Sequence, residues 1–132
     1  MGHRVPTGAF SKETKEIVLL RAKGRCELCG ASSQAWHYHH RQPRQMGGTS
    51  VVDVGEPENA LLLHPACHER VERNRATALL NGWLVKKQDD PSKTPVRLWD
   101  GWFLLLRDGS LCAASPVGLA EGRSERDACL PS

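Results

Sequence analysis

The sequence has no long apolar run. Nothing in it approaches the roughly 20 apolar residues that a membrane-spanning helix needs, and residues 1–10 hold no apolar core of the kind a secretory signal carries. It lacks a strong excess of either charge: 18 Lys and Arg against 15 Asp and Glu leave a net +3. That balance suits a polyanionic partner without demonstrating one. It lacks an internal repeat, which excludes a solenoid. It also lacks the even cysteine count of a disulfide scaffold: there are five, three of them in metal-ligand spacing and two, Cys112 and Cys129, beyond it. Together these absences predict a cytoplasmic setting, where thiolates are free to hold zinc. The 132 residues suffice for one small domain, whose modest core a structural metal would help to fold.

The pattern along the chain predicts an α+β domain. Residues 1–10 read as a flexible N-terminus. Residues 11–23 read as a helix, with Ser11 as N-cap, an apolar stripe of Ile17, Val18 and Leu20, and Gly24 as the left-handed stop. Cys26-Glu-Leu-Cys-Gly reads as a knuckle. Residues 36–41 and 60–63 read as strands separated by the long loop 42–58, and loops of that length more often carry function. Pro65 suits the first turn of a helix running to about Leu80, with Val71, Ala78 and Leu79 buried and Gly82 as its end. Residues 83–87, 96–99 and 102–106 read as three strands, the last two joined by a hairpin at Asp100-Gly101. From Ala113 onward the chain turns small and polar and reads as a disordered tail. The expected organisation is thus a domain over 11–112, with a core at 24–82 and a β extension at 83–112.

Two metal-ligand patterns interleave. Cys26-x-x-Cys29 and His64-x-x-Cys67 supply four ligands from two chain crossings, the donor set of a closed, structural zinc site. The second pattern starts from His39 and His40. Neighbours on a strand face opposite ways, so one can bind a cation while the other meets water or substrate. His68 and Glu72 lie four apart on one helix face and can ligate the same ion. His39, His68 and Glu72 would leave open positions, as a catalytic metal needs. His40 suits a general base because imidazole titrates near neutral pH. Asn59 can bridge the loop and fix the orientation of His40. His3 and His37 read as surface residues, although His37 shares a strand face with His39 and could approach the metal.

Cys26-Glu-Leu-Cys-Gly, Tyr38-His-His-Arg, Gly47-Gly48 and Glu58-Asn-Ala-Leu-Leu-Leu-His-Pro-Ala-Cys-His68 together resemble an HNH endonuclease of the ββα-metal type over residues 24–80. The resemblance implies a zinc-stapled ββα-metal core with an N-terminal helix and a small C-terminal β extension. It implies that His39 and His68 are metal ligands, His40 the general base and Asn59 the loop support. It further implies metal-dependent hydrolysis of DNA with 5′-phosphate and 3′-hydroxyl ends. Two residues depart from the family pattern. His64 replaces the commoner cysteine. Glu72 stands where colicin-type nucleases carry histidine; it either ligates a hard cation, favouring Mg²⁺ or Mn²⁺, or pairs with a neighbouring arginine. His40-Arg-Gln-Pro-Arg-Gln-Met-Gly-Gly, Glu72 with Arg75, Trp83-Leu-Val and Asp108-Gly109 are similar to HNH proteins of actinobacteria and their phages. Some of those accompany genome packaging, which makes a phage terminase a candidate partner.

Arg41, Arg44, Arg70, Arg73 and Arg75 lie near the expected site and suit phosphate oxygens, which a guanidinium fork can bind in pairs. Such contacts position a backbone and read no sequence. Acidic residues interrupt them, and about half would form ordinary surface pairs. The rival readings are a zinc-stabilised nucleic-acid-binding module without catalysis, which would not need His40, and a terminase accessory protein. DNA and RNA are not distinguished by the residues themselves.

Overall fold

The computed structural model describes residues 10–43 and 55–115. Ser11 caps the first helix, α1 (Lys12–Ala22), its hydroxyl accepting from the Thr14 N–H. Lys23 and Gly24 both take left-handed conformations at its end. The buried face is Thr14, Val18, Arg21 and Ala22. Leu20, expected on the apolar stripe, is 78% exposed. The inward face is set instead by Arg21, which reaches from α1 into a buried pair with Glu27.

Two strands, β1 (His37–His40) and β2 (Ala60–Leu63), form an antiparallel hairpin with His39 opposite Leu61 and His40 opposite Ala60. Strand alternation divides β2 between two cores. Ala60 and Leu62 pack with Phe10, Val18 and Ala22; Leu61 and Leu63 pack with Cys26, Cys67, Val71, Leu84 and Leu105. The hairpin therefore lies between α1 on one face and the zinc-type cluster, the following helix and the C-terminal sheet on the other. A 3₁₀ turn (Pro57–Asn59) leads into β2.

The helix expected over 65–80 is broken. α2 (Pro65–Arg73) ends at Asn74, and α3 (Arg75–Leu80) begins there. The Asn74 side chain accepts from the Thr77 N–H, a local bond that competes with helix continuation. Val71 and Ala78 are buried as expected, while Leu79 is exposed. Gly82 terminates α3 at positive φ; a Cβ there would sit 2.0 Å from the Pro95 carbonyl oxygen, so only glycine fits.

Residues 83–87 do not form the expected strand. The Trp83 and Leu84 N–H groups both go to the Ala78 carbonyl and that of Val85 to the Arg41 carbonyl, leaving no ladder to join. The C-terminal sheet is an antiparallel meander of β3 (Val96–Leu98), β4 (Gly101–Leu105) and β5 (Leu111–Ala113). β5 was not expected: it includes Ala113, and the Ala114 N–H still bonds Trp102, so the described fold runs past the expected boundary at 112. At the other end Phe10, expected in a flexible terminus, is buried. The rest of both expected termini, 1–9 and 116–132, lies outside the described residues.

Candidate active site and metal centres

The knuckle is held from beneath by a buried ion pair. Glu27 Oε1 and Oε2 accept from Arg21 at 2.7 and 2.8 Å, and Oε1 also takes the Leu62 N–H. The remaining Arg21 donors reach the Pro57 and Ala60 carbonyls. Helix, knuckle and central strand are thereby fixed together. Sequence reasoning passed over both residues; a glutamate between two ligand cysteines and an arginine on a helix's inner face were the available signals.

Cys26, Cys29, His64 and Cys67 converge, their ligand atoms all within 4.8 Å of one another. Cys29 Sγ lies 3.7 Å from His64 Nδ1. Two ligands of one tetrahedral zinc, at about 2.3 Å for sulfur and 2.0–2.1 Å for nitrogen, stand roughly 3.6 Å apart. The three thiols and the imidazole therefore fit zinc in donor type and in spacing. Cys26 and Cys67 are buried, whereas Cys29 is exposed. Burial, reinforced by Cys26, pushes the Cys67 thiol up to about 12. Desolvation acts the same way on Cys29, but hydrogen bonds from the Ala31 backbone and with Cys67 and Cys26 outweigh it and hold that thiol below its ordinary value. His64 is the N-cap of α2 and Pro65 its first residue, and the Cys67 and His68 N–H groups both bond the His64 carbonyl, so the helix start fixes His64 and Cys67 one turn apart.

The second cluster is His39, His68 and Glu72, again with ligand atoms within 4.8 Å. Glu72 Oε2 lies 3.6 Å from His68 Nε2 and 3.9 Å from His39 Nδ1. Atoms that share one cation at about 2.1 Å lie no more than roughly 4.2 Å apart, so each histidine stands close enough to the Glu72 carboxylate to share an ion with it. His39 is buried; its Nε2 donates to the Trp83 carbonyl at 2.9 Å, which leaves the Nδ1 lone pair directed at Glu72. Burial brings His39 down to about 4, with His68, His40 and Arg41 adding to the effect against the Trp83 bond, so the ring is neutral at pH 7. Desolvation, aided by His37 and opposed by Glu72, also lowers His68. Glu72 Oε1 is 3.9 Å from Arg75, so the carboxylate meets both the histidines and an arginine.

The strand alternation expected of the histidine pair is present. His40 turns to the other face of β1 and stacks on Phe10 with centroids 4.0 Å apart and planes 14° from parallel. A cleft of about 300 Å³ is lined by His39, His40, His68, Glu72, Arg75 and Tyr38, among others. Asn59 is fully buried. Its Oδ1 accepts the Gln42 N–H at 2.7 Å and its Nδ2 donates to the Gln42 carbonyl at 3.0 Å. Its own carbonyl takes the Arg41 N–H. The asparagine thus clamps the chain immediately after His40.

The arginines divide. Arg75 is in the cleft. Arg73 pairs with Glu69 at 3.0 Å, and the Arg70 guanidinium lies over the Trp83 ring. Arg44 lies outside the described residues. Arg41 corrects the sequence reading. It is wholly buried and donates to the Gly82, Glu58, Pro91 and Thr94 carbonyls, so it braces the fold and does not reach a phosphate.

Residues 26–74 match the family model of the HNH endonucleases. The matched segment takes in both clusters, β1, β2 and α2, and the chain has the α+β architecture expected from the sequence, with small C-terminal strands beyond the match. No curated protein matches the chain, and no solved structure does. Among the described residues, no helix is long and apolar enough to cross a membrane.

Proposed function

We propose that the protein is a metal-dependent endonuclease that hydrolyses DNA phosphodiester bonds with little sequence preference. One observation carries this reading: His39, His68 and Glu72 converge on one point in the wall of a cleft that also holds His40, inside the segment matched by the HNH family. These three residues would hold a divalent ion. The carboxylate and the remaining open positions favour Mg²⁺ or Mn²⁺. Such an ion supplies positive charge for the phosphate and the leaving 3′-oxygen. His40 takes the proton of the attacking water, held in plane by Phe10 and from behind by the Asn59 clamp on Gln42. Arg75 stands in the cleft to meet a phosphate, while Arg70 and Arg73 lie on the flanking helix face. Cys26, Cys29, His64 and Cys67 hold structural zinc.

The test is nicking of supercoiled plasmid by zinc-loaded protein with Mg²⁺ or Mn²⁺. Wild type should nick; His40→Ala and an EDTA-treated sample should not. Folded, zinc-loaded wild type that binds plasmid without cutting under any of these conditions would leave a nucleic-acid-binding module in its place. Equal nicking by His40→Ala would remove His40 from the base role.

A further inference from the structure

His37 lies on the same face of β1 as His39, and its Nδ1 is 2.8 Å from Nδ1 of His68. The rings meet edge to face, centroids 4.9 Å apart and planes at 80°. His68 thus has both nitrogens engaged: Nε2 towards Glu72 and Nδ1 towards His37. The two edges serve different purposes. A ring that offers its Nε2 lone pair to a cation carries its proton on Nδ1, and that N–H needs an acceptor. His37 Nδ1 occupies the acceptor's place. It faces the opposite nitrogen from the one that faces Glu72, which places it behind His68 and outside the ligand set.

We propose that His37 is a positioning residue for the cation site: it accepts the His68 Nδ1 proton, fixes the ring's tautomer and rotation, and presents Nε2 to the ion. The proposal rests on the reading of His68 as a cation ligand. His39 is held in the same way by the Trp83 carbonyl, so both histidine ligands are oriented from behind, one by backbone and one by side chain.

The test compares wild type, His37→Leu and His37→Asn, each loaded with one zinc and checked for an unchanged melting temperature. His37 is exposed, so both variants are expected to fold. Free Mn²⁺ is titrated by electron paramagnetic resonance, and plasmid nicking is followed against Mn²⁺ concentration. Leucine should weaken Mn²⁺ binding by about 10- to 100-fold, the usual effect of losing an outer partner of a ligand histidine. Turnover at saturating Mn²⁺ should change far less than the affinity, because the ion is then bound in both proteins. Asparagine, whose side-chain carbonyl can accept the same proton, should restore most of the affinity. Equal Mn²⁺ affinity in wild type and His37→Leu would overturn the proposal alone. So would equal losses in both variants, because a direct ligand or a packing residue behaves that way. Wild type that binds no Mn²⁺ would overturn the cation site itself, and this role with it.

Discussion

Replacing Arg41 separates a structural brace from a phosphate contact. The guanidinium has no exposed surface and donates to four carbonyls drawn from three places: Gly82 after α3, Glu58 before β2, and Pro91 and Thr94 in the connection to β3. Burial lowers its pKa to about 9, which still leaves it charged at neutral pH. In Arg41→Met the Pro91 oxygen keeps the Thr94 N–H, while Gly82, Glu58 and Thr94 lose the guanidinium. At about 1–3 kcal/mol for each of the two buried carbonyls, Gly82 and Glu58, left without its donor, the cost is roughly 2–6 kcal/mol, while the part-buried Thr94 oxygen can turn to water. Against a total of about 5–15 kcal/mol, that is enough to unfold the domain or leave it marginal. Arg41→Lys has one nitrogen where the fork had three, and it should fall between wild type and Arg41→Met. Urea unfolding of zinc-saturated protein, followed by tryptophan fluorescence, reads the loss directly. A phosphate role predicts something else: unchanged stability, weaker DNA binding, and a salt dependence shallower by about 0.9 in log–log slope. That second pattern would refute the burial argument.

Four further outcomes are expected. Glu27→Gln leaves Arg21 charged and buried without its partner, so urea unfolding should show a loss of roughly 3–5 kcal/mol; a loss below about 1 kcal/mol would mean that water reaches the pair. Cys67→Ser should abolish stoichiometric zinc and lower stability by at least about 5 kcal/mol, with a change in the emission of Trp99, whose ring lies against Gly30 of the knuckle; full zinc occupancy in that variant would remove Cys67 from the site. Because the pKa of His39 is depressed when folded, its contribution to stability is present above about pH 6.5 and is lost as pH falls towards 4. Wild type should accordingly lose up to about 3 kcal/mol more than His39→Asn on going from pH 7 to 4.5, and parallel curves would contradict the burial of the ring. Phe10→Ala frees the His40 ring and should lower kcat for nicking about tenfold with little change in Mn²⁺ requirement; unaltered kcat would show that the stack does not orient the base.

The sequence displayed what depends on spacing. Both ligand clusters, the strands carrying them and the cap at Ser11 follow from local pattern, because two-residue and four-residue separations dictate which side chains share a turn or a face. What escaped it depends on where polar backbone groups find partners. The expected strand at 83–87 has strand-like residues, yet its N–H groups serve Ala78 and Arg41 and its Trp83 carbonyl serves His39. The continuous helix over 65–80 failed at Asn74, where one side-chain bond outcompetes a helical one. Arg41 stands beside the histidine pair in sequence and reads as a phosphate ligand there; only the four carbonyls gathered around it reveal its direction. The partner of His37 was hidden for a similar reason. The face of His37 was legible, but the 2.8 Å contact with His68 depends on how α2 lies across β1.

The two clusters are not independent, because consecutive residues of α2 belong to different ones. Cys67 enters the zinc-type cluster and His68 the cation cluster, one residue apart at the start of the helix. The partner strands repeat this arrangement: β2 runs into His64, while β1, paired with it, delivers His37 and His39. Any rotation of α2 that moves Cys67 must therefore move His68 and Glu72 as well. With ligand atoms separated by only 3.6 and 3.9 Å, a displacement of about 1 Å is enough to break the convergence, and misplacements of that size cost catalysis about 100-fold. Zinc held by the first cluster would thus fix the register of α2 against the hairpin, and that register is what brings the second cluster together. In a 132-residue chain with a core divided across a two-stranded hairpin, that restraint adds to the burial of Val71 and the Trp83 bond to His39 in holding three side chains from two elements to that tolerance.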